Sequence, residues 1–312
     1  MKKKIALKYA GQRLDKVLAD LKLVSTRSAG QKLFAGKVVL INDKPASAHL
    51  AVKVGDKLEI LPLPEKAVKA VPAEQIRNWD KKIEIIADTK DYLVINKPAG
   101  LLVHESAATP GETTLADWLV KHYPKVDHVG DDPARPGIVH RLDRDVSGLM
   151  VIAKNQDSFD DLKKQFQKRT INKYYTALVY GHMPKQTGEI NFKIGRATVG
   201  FKMAARPENQ AGKVAVTEYE VLKSFEHYDL LRLKIKTGRT HQIRVHLSAA
   251  DHPVVGDNLY GNRLTKEKNK KLALQRIFLV ARELSFTDLN GEVQNFTIDL
   301  PLSLQQILQS IK

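Results

Sequence analysis

There is no cysteine in the 312-residue chain. Disulfides, thiolate zinc centres and cysteine nucleophiles are therefore excluded from its chemistry. Long apolar runs are missing as well. Nothing approaches the ~20 consecutive apolar residues of a membrane-spanning helix. Met1-Lys2-Lys3-Lys4 is not followed by the apolar stretch of a secretion signal, so the expected location is cytoplasmic. No GxGxxG or GxxxxGK[ST] run occurs, and no nucleotide cofactor is signalled. Acidic residues are the minority among the charged ones: 35 Asp and Glu stand against 51 Lys and Arg, a formal net charge of +16. A surplus of that size on a folding chain points to a polyanionic partner, nucleic acid first. What is present in quantity is core-forming material, 43% hydrophobic residues, in a length that suits two domains.

Residues 1–61 read as a small αβ module. Leu14, Val17, Leu18 and Leu21 fall on one face of a helix over Arg13–Leu21. Ser25 or Thr26 can cap a second helix, which Gly36 ends with Lys37 in its last turn. Strand-like runs follow at 38–42 (VVLIN) and 57–61 (KLEIL). Residues 62–80 hold three prolines and little periodicity, as an interdomain linker would. From 81 to 312 strands come in runs rather than in βαβ alternation (KIEIIA, YLVIN, GLMVIA, YYTALVY, VTEYEVL, YDLLRLKIK, RIFLVA, FTIDL), with helix-like segments between them. That pattern predicts an α+β domain on a mixed, largely antiparallel sheet with flanking helices.

Three segments carry chemistry. In His140-Arg141-Leu142-Asp143-Arg144-Asp145-Val146-Ser147-Gly148-Leu149, charged residues run straight into an apolar strand. A loop on a rigid strand is a platform for a fixed catalytic group. Asp143 lies between two arginines, which favour its ionised form; such a carboxylate serves as nucleophile, base or metal ligand, or simply as part of a surface ion-pair cluster. In Thr237-Gly238-Arg239-Thr240-His241-Gln242-Ile243-Arg244-Val245-His246, Gly238 permits a tight strand-to-helix turn and Thr240 suits the N-cap. Arg239 is expected to project from that turn toward a carboxylate or phosphate. His241 and His246 are five apart, not the four that places two metal ligands on one helical face, so a helix-surface or phosphate-contacting role is expected and no metal site. In Lys173–Gly181 (KYYTALVYG), Lys173, Tyr175, Ala177 and Val179 share one strand face, and a tyrosine there is either a core residue or a platform for an extruded base.

HRLDRDVSGLMVIAK, NKYYTALVYG and KTGRTHQIRVH, in that order and preceded by NKPAG at 96–100, resemble the signature blocks of the RluA/RluD-type RNA pseudouridine synthases. Residues 1–61 resemble the alpha-L RNA-binding module of those enzymes, and the resemblance extends over nearly the whole chain. It implies Asp143 as the catalytic aspartate, Tyr175 as the active-site tyrosine and Arg239 as the arginine that pairs with the aspartate. Arg141 matches the residue that enters the RNA stack when the target uridine flips out. His140, Arg144 and Arg244 are expected to contact RNA as well, and Arg13, Lys16, Arg27, Lys32 and Lys37 to do so from the N-terminal module. Two positions depart from the family pattern. Val146 stands where Thr is usual, and Val280-Ala281 where a His-Ala pair is common.

The resemblance implies isomerisation of uridine to pseudouridine within RNA by a monomer that needs no cofactor or metal. Ribosomal RNA of the large subunit, within pre-ribosomal particles, is the expected substrate, and transfer RNA the alternative. An inactive ribosome-assembly factor would be expected to have lost part of the Asp143, Tyr175 and Arg239 set. A glycoside-type hydrolase would need a second carboxylate, for which Asp145 is the near candidate.

Overall fold

The computed structural model describes residues 2–24, 30, 33, 34, 36–61, 79, 80, 82–105, 109, 111–197, 202–207, 209–272, 274 and 276–311. Arg27, Lys32, the expected cap at Ser25 or Thr26 and residues 62–78 of the linker expected over 62–80 lie outside them. The chain divides into two compact units, Met1–Ala70 and Val71–Lys312.

In the first unit, helix α1 (Leu14–Asp20) buries Leu14, Val17 and Leu18, the face its spacing predicts. They pack on an antiparallel sheet of β1 (Lys2–Lys4), β2 (Val39–Ile41), β3 (Lys44–Pro45) and β4 (Lys57–Ile60), in the order β1-β4-β2-β3. The left-handed residue before β2 is Lys37 (φ 54°) rather than Gly36. Its N–H and that of Val38 turn back to the carbonyls of Phe34 and Leu33, so the turn closes one residue later than the glycine suggests.

The second unit is built on one nine-stranded sheet. Its strands are β5 (Glu84–Asp88), β6 (Tyr92–Lys97), β7 (Ser147–Ala153), β8 (Asn172–Tyr180), β9 (Thr187–Ile190), β12 (Thr217–Phe225), β13 (Tyr228–Ile235), β14 (Leu279–Thr287) and β15 (Val293–Thr297). The order is β5-β6-β7-β14-β8-β13-β12-β9, with β15 added beside β14. Only the β7–β14 pairing is parallel; the other pairings are antiparallel, as the strand runs lead one to expect. Every residue of β7 is buried, which fits a strand at the centre of the sheet. A separate hairpin of β10 (Lys193–Arg196) and β11 (Met203–Arg206) stands off the main sheet. It carries little alternation in its sequence and was not expected as strand.

The helices are α2 (Leu115–His122), α3 (Gln156–Lys168), α4 (Gln242–Ala249), α5 (Arg263–Lys271) and α6 (Leu302–Ser310). Thr114 and Asp117 form a capping box at the start of α2, and Asn155 caps α3. Helix α4 differs from expectation. Its N-cap is His241, in the left-handed region at φ 56°, not Thr240. No side chain caps the helix; Gln242, its first residue, instead ties down the preceding turn, its Oε1 accepting from the Arg239 N–H (3.1 Å) and from Thr237 Oγ1 (2.6 Å).

Candidate active site

Asp143 sits in the loop that feeds β7, and three devices fix that loop. The Val146 N–H returns to the Asp143 carbonyl, with the Val146 side chain buried beneath. Gly148 (φ 129°) lies so close to β14 that an added Cβ would stand 2.3 Å from the Ala281 carbonyl oxygen, so only glycine serves here. Lys97, wholly buried at the end of β6, places Nζ within hydrogen-bond reach of the carbonyls of Pro98 (2.8 Å), Leu101 (2.8 Å) and Arg144 (3.1 Å). The Gly100 N–H meets the same Arg144 carbonyl. Part of the NKPAG block therefore works as a clamp on the residue next to Asp143.

Burial lowers the Lys97 ammonium to about 7, against the opposing pull of Asp143 and Asp145. A lysine in the unfolded chain titrates near ~10.4. Between these values the unfolded chain holds a proton that the folded chain has released, so stability rises with pH across the window. Wild type measured against Lys97→Met, by urea unfolding from pH 7 to 10, is expected to gain up to about 4 kcal/mol over that range. Parallel slopes for the two proteins would refute a neutralised Lys97. The comparison is one of slopes, so the variant's own loss of the Nζ hydrogen bonds drops out.

The charge partner of Asp143 comes from α4. Arg244 Nη1 is 3.4 Å from Asp143 Oδ2. The rest of its guanidinium forks onto Asp257, Nε to Oδ2 at 2.7 Å and Nη2 to Oδ1 at 2.9 Å. Asp257 also accepts the N–H groups of Leu259 and Tyr260. Burial opposes charge on both partners, but their mutual hydrogen bonds win: Asp257 falls below its usual value and Arg244 rises above its own. Arg244 is 6% exposed and Asp257 is not exposed at all. Arg244, expected to face RNA phosphate, is thus enclosed by carboxylates.

This corrects the assignment of Arg239 as the partner of Asp143. Arg239 turns to the strand side, where its Nε donates to the Val214 carbonyl at 3.0 Å. The helix begins three residues later than Arg239, and only residues on its inner face meet the Asp143 loop. Two expected RNA contacts are corrected as well. His140 stacks on Phe166 (4.7 Å between centroids) and accepts the Val151 N–H at Nε2, and burial keeps the ring neutral. His246 is fully buried, not on a helix surface. It bridges Thr217 Oγ1 (3.0 Å) and the Phe192 carbonyl (2.9 Å).

The two arginines that flank Asp143 in sequence have other partners. Arg141 Nη1 approaches His104 Nε2 at 3.3 Å, and Arg144 pairs with Glu112 and the Gly100 carbonyl. Both keep exposed surface. Tyr175 lies in the core on β8 at 5% exposure. Burial, then the Asp143 charge, raises its phenol well above the usual value, so it stays protonated. Tyr174, on the opposite face, is covered by the Arg232 guanidinium at 3.8 Å from its centroid. In the first unit Lys16 and Lys37 are exposed, whereas Arg13 is paired with Asp15 at 2.6 Å.

Beside Asp143 opens a cleft of about 1360 Å³, lined among others by Arg144, Asp145, His241, Arg244, Asp257 and Arg276. Among the described residues no group of three or more His, Asp or Glu side chains is arranged to hold a metal, and no helix is long and apolar enough to cross a membrane. Asp257 and Tyr260 escaped the reading of the sequence, and His241 was read as a helix-surface or phosphate-contacting residue, because nothing in spacing shows which helix face turns inward. The buried Asp257 had no local signal; the other two lie in or after a recognisable block.

An anchored carboxylate backed by a buried arginine, in an open basic cleft, defines an enzyme that works on a polyanion without a cofactor motif. The sequence profile of RNA pseudouridylate synthases matches residues 91–249, and that of the S4 domain matches 12–58. The chain belongs to the RNA pseudouridylate synthase family and is an RNA-modifying isomerase. It is 35% identical to the ribosomal large subunit pseudouridine synthase D of Haemophilus influenzae, over 97% of this chain and 92% of that one. The enzyme of the same description in Neisseria meningitidis serogroup A is 34% identical, over 99% and 81%. The solved structure of human RNA pseudouridylate synthase domain containing 4 superposes with a TM-score of 0.60 at 28% identity, covering 76% of this chain and 96% of that one.

Proposed function

We propose that this enzyme isomerises uridines of large-subunit ribosomal RNA, with Asp143 as the reacting carboxylate. The observation that carries the site is the Asp143–Arg244–Asp257 array at the cleft; the names of the relatives support the substrate. The flipped uridine enters the cleft, at a cost of a few kcal/mol that phosphate contacts offset. Asp143 then attacks the ribose or the uracil ring, and Arg244 keeps it aimed. Tyr175, whose proton is firmly held, packs against the base rather than acting as a phenolate base. Arg141 and Arg144 keep surface for RNA, and the folded unit at 81–312 does the chemistry.

The test uses transcripts carrying tritium at uracil carbon 5. Label released from large-subunit rRNA, with the chain intact and no free uracil, is the expected result. Release from transfer RNA alone moves the substrate; free uracil makes the protein a hydrolase; no release from either RNA leaves an RNA-binding role and ends the proposal.

We further propose that the N-terminal module, residues 1–61 followed by a linker over 62–80, positions RNA through Lys16 and Lys37 without joining the chemistry. Lys16→Ala with Lys37→Ala is expected to make the dependence of log affinity on log salt shallower by about 1 to 2, since ~0.7–0.9 of a counterion is released per phosphate contact. The single-turnover rate at saturating RNA is expected to hold. An unchanged slope would take the module off the RNA backbone.

A further inference from the structure

We propose that His241 is a further catalytic residue, a neutral N–H donor that contacts a carbonyl oxygen of the uracil bound at Asp143. The proposal rests on the reading of the chain as a pseudouridine synthase.

The argument begins with Tyr260. Its hydroxyl oxygen accepts the Met203 N–H at 3.1 Å and lies 2.7 Å from His241 Nδ1. Burial raises the phenol above its usual value, so it keeps its proton. The O–H is left to donate, and His241 Nδ1 is the acceptor that the described residues offer it. Nδ1 is therefore the bare nitrogen, and the ring proton resides on Nε2. Burial lowers the imidazole below its ordinary value, with Arg244 and Arg141 acting the same way against Asp143 and Asp257. The ring is thus neutral.

Nε2 then faces the catalytic carboxylate. It lies 3.9 Å from Asp143 Oδ2, the oxygen that Arg244 also approaches. That distance is too long for a hydrogen bond, so the N–H is not consumed by Asp143. The side chain is 23% exposed and lines the cleft, open to whatever enters. The backbone points the same way. His241 holds φ 56°, a left-handed conformation uncommon among non-Gly residues, in which Asn, Asp and His are the enriched ones. Strain of this kind persists where the surroundings enforce it, and it concentrates at functional sites.

The chemistry needs such a donor. If Asp143 attacks the ribose, the electron pair of the bond from C1′ to N1 passes to the uracil ring and spreads onto its carbonyl oxygens. If Asp143 adds to the ring at carbon 6, the pair of the double bond passes through carbon 5 to the carbonyl oxygen at carbon 4. Either route puts negative charge on a carbonyl oxygen, and a fixed N–H donor stabilises it without moving a proton.

Two measurements test this. Nitrogen-15 spectra of imidazole-labelled wild-type protein, with His241 assigned by its absence in His241→Asn, should show a neutral ring protonated at Nε2. Asn accepts the left-handed backbone but places its amide near Nδ1, short of the substrate. That variant should lose ~10²-fold in single-turnover rate at saturating RNA, the scale of removing one such donor. Its affinity for RNA should stay within a few-fold of wild type, and His241→Gln, whose amide reaches the Nε2 position, should recover part of the rate. Tyr260→Phe should show mixed tautomers and about a tenfold slower step. A ring protonated at Nδ1, or a His241→Asn rate close to wild type, overturns the inference. An inactive wild type would instead sink the functional reading, while the spectra still decide the tautomer.

Discussion

Asp143→Asn is expected to form no detectable pseudouridine while binding RNA within a few-fold of wild type. The substitution keeps size and shape and removes the group proposed to attack. Loss of a reacting group of this kind shows as at least about 10⁴-fold in rate. The fold should not register the change. Asp143 is 16% exposed and meets Arg244 only at 3.4 Å, whereas Asp257 holds the same guanidinium with two shorter bonds. The arginine therefore stays neutralised in the variant, and the unfolding midpoint should be unchanged. Rapid-quench measurement of pseudouridine in bound RNA, beside a urea melt, decides the matter. Turnover above one-hundredth of wild type would remove Asp143 from the chemistry.

Arg244→Lys is expected to damage both activity and stability, and Arg239→Lys neither. Lysine retains one positive charge but cannot span Asp257 with a fork while reaching Asp143. One oxygen of the unexposed Asp257 carboxylate loses its charged donor, a loss of about 1.5–3 kcal/mol. The catalytic carboxylate loses its aim, and a fall in single-turnover rate of ~10²-fold or more follows. Arg244→Ala is expected to be worse in the melt, by about 3–5 kcal/mol, because the buried Asp257 is then left without a counter-charge. Arg239 makes a single bond to a backbone carbonyl, and its lysine variant should keep the rate within a few-fold. If Arg239→Lys were the slower enzyme, the pairing described here would be wrong.

The sequence showed the architecture better than the wiring. Apolar runs such as GLMVIA and YYTALVY are strands because their length and β-branched content leave no alternative, and the α+β class followed from their clustering. Asp143 stood out because a charged loop met a fully apolar strand. Its partner did not stand out. Arg239 and Arg244 lie in one eleven-residue run, and the choice between them depends on where α4 starts. That start is set by the Gln242 side chain and a left-handed His241, neither of which has a periodic signature. Asp257 was invisible for a different reason. A buried carboxylate reads as an ordinary surface residue until its arginine is found, 13 positions earlier. Lys97 likewise reads as solvent-facing, though it is wholly enclosed.

The place of β14 in the sheet has a consequence for synthesis. This strand, Leu279–Thr287, lies between β7 and β8 and joins what are otherwise two separate runs, β5-β6-β7 and β8-β13-β12-β9. Asp143 belongs to the first run; Tyr175 and Arg244 belong with the second. Chains emerge from the ribosome N-terminus first, at roughly 5–20 residues per second. Until residue 287 is out, the two halves have no shared strand to set their spacing, and the carboxylate and its arginine have no fixed distance. A nascent chain can therefore present its basic first unit to RNA well before it can alter a base, so that catalytic competence arrives with one late strand.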